Sequence, residues 1–282
     1  MVGVLGVSAS AILVRFSQAP SGVTAAYRLG WTVLLLLPVV LLRCRAELRR
    51  VTARDLVLCG ASGVLLALHF LTWFESLKRT SVASSTVLVS TEVIFTALGF
   101  ALFLHGKIPR LGVWAILLAF GGSALLALSG GGGAGELSGN LLALAAASAA
   151  AVYTLIGRIQ RGHLSTTVYT FLTYLACFLT LLLGTAAAGT PLTGYGGREW
   201  LIGLALAVLC TLLEHSLFSW CLKYLSPSYV SAAKLCEPVF SSLAALPLFG
   251  EVPGPLQLAG GAAVLGAVLL YTWAEREKTP AG

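Results

Sequence analysis

Eight ionisable residues lie within or at the edges of long apolar runs: Arg28, His69, Glu75, Glu92, Glu214, His215, Lys234 and Glu237. An ionisable group inside hydrocarbon costs about 2.5 to 3.5 kcal/mol on insertion scales, so such residues face a protein interior or a water-filled path. Lys234 precedes Glu237 by three residues and shares its helix face. Pro238 removes the N–H that would have satisfied the Lys234 carbonyl. One turn therefore offers an ammonium, a carboxylate and a free carbonyl. That set suits the amino and carboxyl groups of a zwitterion, and it equally suits a self-neutralising pair that steadies a kinked helix. Glu92 has no basic neighbour on its own helix, so it needs a partner from another helix or a proton.

The other polar residues divide by position. Glu214 and His215 are adjacent and point about 100° apart, which argues against a joint site. His69 stands alone with Trp73 four residues later on the same face, either a satisfied packing residue or a pathway group. Glu75 lies within one turn of Lys78 and Arg79 and is expected at the interface. Arg15 and Arg28 flank the first loop, where long cations snorkel to headgroups, and Arg28 is a candidate lock between helix 2 and a neighbour. Trp73, Tyr153, Tyr174 and Trp220 sit away from the expected span ends and either line a cavity or fill the bundle core.

The elements that hold these groups follow from composition. The chain has 282 residues, 57% hydrophobic and only 10% charged. Soluble proteins carry about 25% charged residues, so a soluble enzyme is excluded, and disorder is excluded by the same hydrophobicity. Runs such as Val33 to Leu42 and Leu141 to Val152 show no period-two alternation, which removes a β-barrel. The fold class is all-α, a polytopic integral membrane protein. At about 20 residues per crossing, ten spans fit. They run 2–17, 23–43, 55–77, 81–104, 109–129, 137–157, 165–188, 199–222, 227–249 and 255–274. The first is expected to be a true helix and no signal peptide, because Arg15 follows the apolar run where a small-residue cleavage site would stand.

Twelve lysines and arginines fall in loops and tail on one side of this arrangement and three on the other, which predicts both termini in the cytoplasm. The net charge of +7 is then an orientation signal, and no nucleic-acid partner is required. The chain also repeats: at an offset of 145, Leu77, Lys78, Ser81, Glu92, Phe95 and Gly121 fall on Leu222, Lys223, Ser226, Glu237, Phe240 and Gly266. Five spans per copy is odd, so the copies, 1–134 and 135–282, must be inverted in the membrane. Inverted repeats are a recurrent architecture of secondary transporters, with substrate bound near the midplane between them.

Several stretches together resemble a known family. Gly6-Val-Ser-Ala-Ser-Ala-Ile-Leu-Val-Arg15, Ala26-Tyr27-Arg28 and Ser90-Thr-Glu-Val-Ile-Phe95 are similar to the first half of an EamA-type member of the drug/metabolite transporter superfamily. Tyr153-Thr-Leu-Ile-Gly-Arg158, Cys236-Glu-Pro-Val-Phe240, Leu248-Phe-Gly-Glu251 and Gly260-Gly261 resemble its second half. The halves depart from one another where Val93 matches Pro238 and Gly106-Lys107 matches Gly250-Glu251. The resemblance implies a ten-helix carrier of the cytoplasmic membrane of a prokaryote, often an exporter of amino acids, related metabolites or drugs, with a cavity between the halves.

The expected partners are a small-molecule substrate, an amino acid or metabolite, with protons as a candidate coupling ion and the lipid bilayer as solvent. No metal or cofactor is implied. Gly130-x-Gly132-x-x-Gly135 lacks the strand-to-helix context of a dinucleotide site, and the six cysteines show no Cys-x-x-Cys spacing. His-Glu-x-x-His and Gly-x-Ser-x-Gly are absent from the sequence. An enzyme acting on a lipid-linked substrate, with His69 or His215 as base, and a passive small-solute channel are the alternative readings. Close helix contacts are expected at Gly121-Gly122 and Gly260-Gly261.

Overall fold

The structure, a computed structural model, describes residues 2–103, 108, 110–129, 134–160, 162–213 and 236–276. Among them every regular element is a helix, the form that satisfies a chain's own backbone groups inside hydrocarbon. In chain order these are α1 (Val2–Phe16), α2 (Ser21–Arg43), α3 (Arg45–Leu48), α4 (Ala53–Arg79), α5 (Val82–Ser90), α6 (Glu92–Phe103), α7 (Arg110–Ser129), α8 (Ala134–Gln160), α9 (Thr166–Ala187) and α10 (Gly197–Ala207). A π-helical turn, Val208–Leu213, continues α10, and α11 (Cys236–Phe249) and α12 (Pro255–Arg276) complete the set.

Six described helical stretches are long and apolar enough to cross a membrane: Ser21–Arg43, Ala53–Arg79, Val82–Gly99, Gly135–Gln160, Thr166–Ala187 and Pro255–Ala274. Arg110–Leu126 and Glu237–Phe249 are apolar but shorter. The expected spans 199–222 and 227–249 are described only in part.

The ends of the helices are written in their flanking residues. Thr52 and Asp55 form a capping box, with the Asp55 amide donating to Thr52 Oγ1 at 3.2 Å and the Thr52 amide to Asp55 Oδ2 at 3.0 Å. Ser81 and Ser165 accept from the Ser84 and Val168 amides to start α5 and α9.

The span expected as continuous over 81–104 is broken. Ser90 Oγ donates to the Val87 carbonyl at 2.7 Å and Thr91 Oγ1 to the Leu88 carbonyl at 2.6 Å, while the Thr91 amide also turns back to Leu88. Hydroxyls bonded back to their own helix bend it. The Thr91 carbonyl then accepts from the Ile94 and Phe95 amides and begins α6. Glu92 thus sits in the first turn of a new helix, where the macrodipole favours its negative charge.

α4 packs against α8 and α9, α2 against α9 and α10, α7 against α12, and α5 against α8, α11 and α12. The main core gathers Leu29, Phe70, Trp73, Phe74, Leu77 and Tyr174 where α2, α4 and α9 meet. Close approach rests on small residues. A methyl group on Gly63 would stand 2.5 Å from the Ala176 Cβ, and one on Gly122 would stand 2.9 Å from the Gly260 carbonyl oxygen. Of the two expected glycine pairs, Gly122 and Gly260 make the crossing. Gly121 meets nothing within 4 Å, and Gly261 reaches only Val87 Cγ2 at 3.8 Å.

Candidate functional site

Glu92 finds its partner on another helix. Thr154 Oγ1 of α8 donates to Glu92 Oε1 at 2.8 Å, a bond between residues 62 apart in the chain. His69, on α4, donates from Nδ1 to the Ala146 carbonyl of α8 at 3.0 Å, and its ring lies over Trp73 at 5.8 Å and 26°. The His69 ring also meets the Phe70 ring edge-on at 5.1 Å, and Phe70 carries the Arg28 guanidinium on its other contact, 4.5 Å from the ring centroid. Arg28, His69, Trp73, Tyr153 and Tyr174 therefore border one core, and Glu92 joins it through Thr154, the residue that follows Tyr153. Trp73 and Tyr174 are buried core residues, while Tyr153 packs half-buried against that core. The Trp73 indole N–H has no hydrogen-bond partner among the described residues.

Arg28 lies at the centre of a junction of helices. Its Nε donates to Thr211 Oγ1 at 2.9 Å, Nη1 to Ser10 Oγ at 3.1 Å and Nη2 to the Cys210 carbonyl at 3.0 Å. The guanidinium also sits 4.5 Å from the Phe70 ring centroid, a cation–π contact. The side chain is 6% exposed as part of that junction, not a snorkelling residue. Thr211 Oγ1 donates in turn to Leu206, five residues back, the reach that a π-helical turn provides. Arg28 thus ties α2 to α1, to α4 and to the π-helical turn.

Glu237 and Pro238 lie on α11. The Glu237 carbonyl accepts from Ser241 Oγ at 2.8 Å, and the Pro238 carbonyl accepts from Ser242 Oγ at 2.5 Å. Serine hydroxyls thereby satisfy carbonyls of the helix turn that carries the proline. Lys234, Glu214, His215 and Trp220 lie outside the described residues. Among the described residues, no cluster of three His, Cys, Asp or Glu side chains could hold a metal ion.

A second polar assembly occupies the end of the molecule that carries the α1–α2 turn. Arg15 pairs with Glu251 at 3.1 Å and donates to the Leu77 and Thr80 carbonyls. The expected snorkelling of Arg15 gives way to this pair, because Glu251 and the free carbonyls at the end of α4 lie within reach. Glu251 Oε2 also accepts from the Val82 amide at 2.7 Å. Glu199, 4% exposed, accepts from Ser17 Oγ at 2.6 Å and from the Gln18 amide at 3.1 Å. Lys78 Nζ donates to the Ala19 carbonyl at 2.5 Å, and Glu75 bridges Ser21 and Arg79. Sequence reasoning did not single out Thr154, Glu199 or Glu251 as partners. Glu251 carries a signal as the last residue of Leu248-Phe-Gly-Glu251, and Thr154 follows Tyr153 within a quoted motif.

An all-helical chain with several membrane-length apolar helices, a helix broken at mid-span and buried polar residues bridging helices has the features of a multi-pass membrane protein of the transporter kind. The chain belongs to the EamA-like transporter family, whose model matches residues 1–128 and 137–273. It is 24% identical over 207 residues to the pseudopaline exporter CntI of Pseudomonas aeruginosa (strain UCBPP-PA14), covering 73% of this chain and 72% of that one. It is 26% identical over 167 residues to the threonine/homoserine exporter RhtA of Escherichia coli (strain K12), covering 59% of this chain and 56% of that one. A protein of known crystal structure shares the fold at a TM-score of 0.65 and 20% identity, over 99% of this chain and 96% of its own.

Proposed function

We propose that this chain is a secondary active exporter of amino acids or related small metabolites or drugs, working by alternating access in the cytoplasmic membrane of a prokaryote. Family membership and the exporter names of the relatives support a carrier over a lipid-acting enzyme or a channel. In this reading ten spans form two inverted five-helix repeats, 1–134 and 135–282, with both termini cytoplasmic. Helix pairing supports the repeat: α4 packs on α9 as α10 packs on α2, and α1 packs on α11 as α6 packs on α8. Each pair maps onto the other when every span is exchanged for the one five places away.

The observation that carries the site is Glu92, placed at the start of a half-helix inside a span and held by Thr154 from the other repeat. A discontinuous span that places a charged group at the repeat interface is how inverted-repeat carriers build their sites. Glu92 takes the amino group of a zwitterion or a coupling proton, and His69, Trp73, Tyr153 and Tyr174 line the adjoining wall. Glu237, Lys234, Glu214, His215 and Trp220 contribute from the second repeat, while Arg28 and Pro238 set helix geometry.

Flux of radiolabelled L-threonine, L-homoserine and other amino acids from proteoliposomes tests the reading. Wild type is expected to move at least one compound down an imposed gradient, and Glu92→Gln is expected to move none above empty liposomes. Unchanged flux through Glu92→Gln removes that residue from the mechanism.

A further inference from the structure

The ends of α1 and α4, the start of α5 and the turn between α11 and α12 converge on one ion pair. Arg15 stands at the end of α1, and its guanidinium donates to Leu77 and Thr80, whose carbonyls are left over where α4 ends. Glu251 stands in the turn between α11 and α12, and its second oxygen takes the Val82 amide, one of the orphan donors where α5 starts. The pair therefore supplies a donor to helix-end carbonyls and an acceptor to a helix-start amide, joining residues 236 apart in the chain. The Phe16 and Phe249 rings, 5.0 Å apart, pack beside it, and Arg15 lies 5.9 Å from the Phe249 centroid. Glu199 makes a second clasp by gripping Ser17 and Gln18 of the α1–α2 turn. Both carboxylates belong to the second half of the sequence and everything they hold belongs to the first.

The junctions built on Arg28 and on Arg15 differ in how easily they can break. Arg28 is buried among groups that would have no water to turn to, so its contacts are costly to break. Arg15 and Glu251 keep 28% and 17% of their side-chain surface exposed, and a small recess lined by Ser81, Ala83, Glu251, Val252, Pro253 and Gln257 lies beside them. A partly exposed pair exchanges its partner for water at small net cost, and so do the helix-end groups it satisfies. Strong enough to fix one state yet weak enough to be released, such a contact is suited to a device that must open in every cycle.

We infer that the Arg15–Glu251 pair, seconded by Glu199, is the gate that closes the α1–α2 end, and that its rupture is a step of transport. The inference rests on the alternating-access reading above, in which this end faces away from the cytoplasm.

Val82, fully buried directly behind the pair, is the reporter. In full-length protein with the six native cysteines replaced by serine, Val82→Cys is reacted with a water-soluble maleimide in proteoliposomes. Slow labelling is expected, rising about tenfold with either Glu251→Gln or Arg15→Gln, as loss of a charge-assisted bond shifts the closed-to-open balance. In a second measurement Arg15→Cys and Glu251→Cys are bridged by a reducible bis-methanethiosulfonate reagent. Amino-acid flux is expected to fall at least about tenfold and to recover on reduction. Equal labelling in all proteins, or full flux through the bridged protein, overturns the gate. Absence of flux for every amino acid in untreated wild type sinks the amino-acid reading of the substrate, while the labelling comparison still decides whether the pair closes this end.

Discussion

Arg28 of α2 donates from Nε to the Thr211 hydroxyl at 2.9 Å, and by that bond and its neighbour to the Cys210 carbonyl it fixes the π-helical turn that follows α10. A π-helical turn spaces its carbonyls unlike an α-helix and survives where an outside group rewards the altered spacing. Arg28 is that group, and the Phe70 ring beneath its plane explains why a flat guanidinium stands there and not an ammonium. Arg28→Lys is therefore not conservative. It is expected to orphan at least one of Thr211, Ser10 and Cys210, at about 1–3 kcal/mol for each buried group left unsatisfied. The measurement is the thermal midpoint of aggregation in detergent, which should fall clearly for Arg28→Lys and further for Arg28→Ala. An unchanged midpoint would show that the junction does not hold the fold.

Thr154 orients Glu92, so its removal should act on transport more than on stability. Thr154→Val keeps the shape and loses the donor. The bond it deletes is made to a carboxylate, and such bonds are worth about 1.5–3 kcal/mol. Flux is expected to drop about tenfold with Thr154→Val, while Thr154→Ser stays near wild type. Equal flux in the two variants would mean that Glu92 does not depend on this partner.

Gly63 and Gly121 separate two uses of glycine in one bundle. A side chain at Gly63 meets the Ala176 Cβ at 2.5 Å and backbone atoms of α9 at 2.7 Å, so Gly63→Ala must push α4 off α9. Overpacking of that kind costs about 1–3 kcal/mol, and backbone neighbours leave little room to relax. Nothing stands within 4 Å of a Cβ at Gly121, so Gly121→Ala removes only the helix cost of glycine, about 1 kcal/mol. Thermal midpoints should move in opposite directions for the two substitutions.

The helices were legible because hydrophobic runs and their breakers are local, and α2, α4, α8, α9 and α12 start and end within about three residues of the expected spans 23–43, 55–77, 137–157, 165–188 and 255–274. The break at Thr91 was hidden by averaging. Residues 81–104 are apolar enough to read as one span, although Ser90 and Thr91 carry the hydroxyls that bend it. Glu92 was legible as an isolated charge, but Thr154 was not legible as its donor, since that pairing depends on the tilt of α8. Arg15 and Glu199 were hardest to read. Each stands at a helix end, where sequence logic assigns a cation to headgroups or an acid to a macrodipole, and only the fold reveals that Glu251 and Ser17 are there to meet them.

Glu199 gives the sharpest test of that last point. Its two oxygens accept from two donors, Ser17 Oγ and the Gln18 amide, in a site only 4% exposed. A glutamine in its place has one acceptor oxygen, which the Gln18 amide takes, and its NH2 group meets Ser17 Oγ, which must then turn its own hydrogen to Thr24 Oγ1, 2.7 Å away. Glu199→Gln is therefore expected to cost about 1 kcal/mol despite its nearly identical shape, because bonds to a carboxylate become weaker bonds to a neutral amide. Ser17→Ala is expected to be destabilising on its own and less so in the Glu199→Gln background, where the bond it deletes is the weaker neutral one. The double-mutant cycle on thermal midpoints reads this coupling directly. Strictly additive effects would mean that Glu199 acts as a helix-start charge and does not clasp the α1–α2 turn.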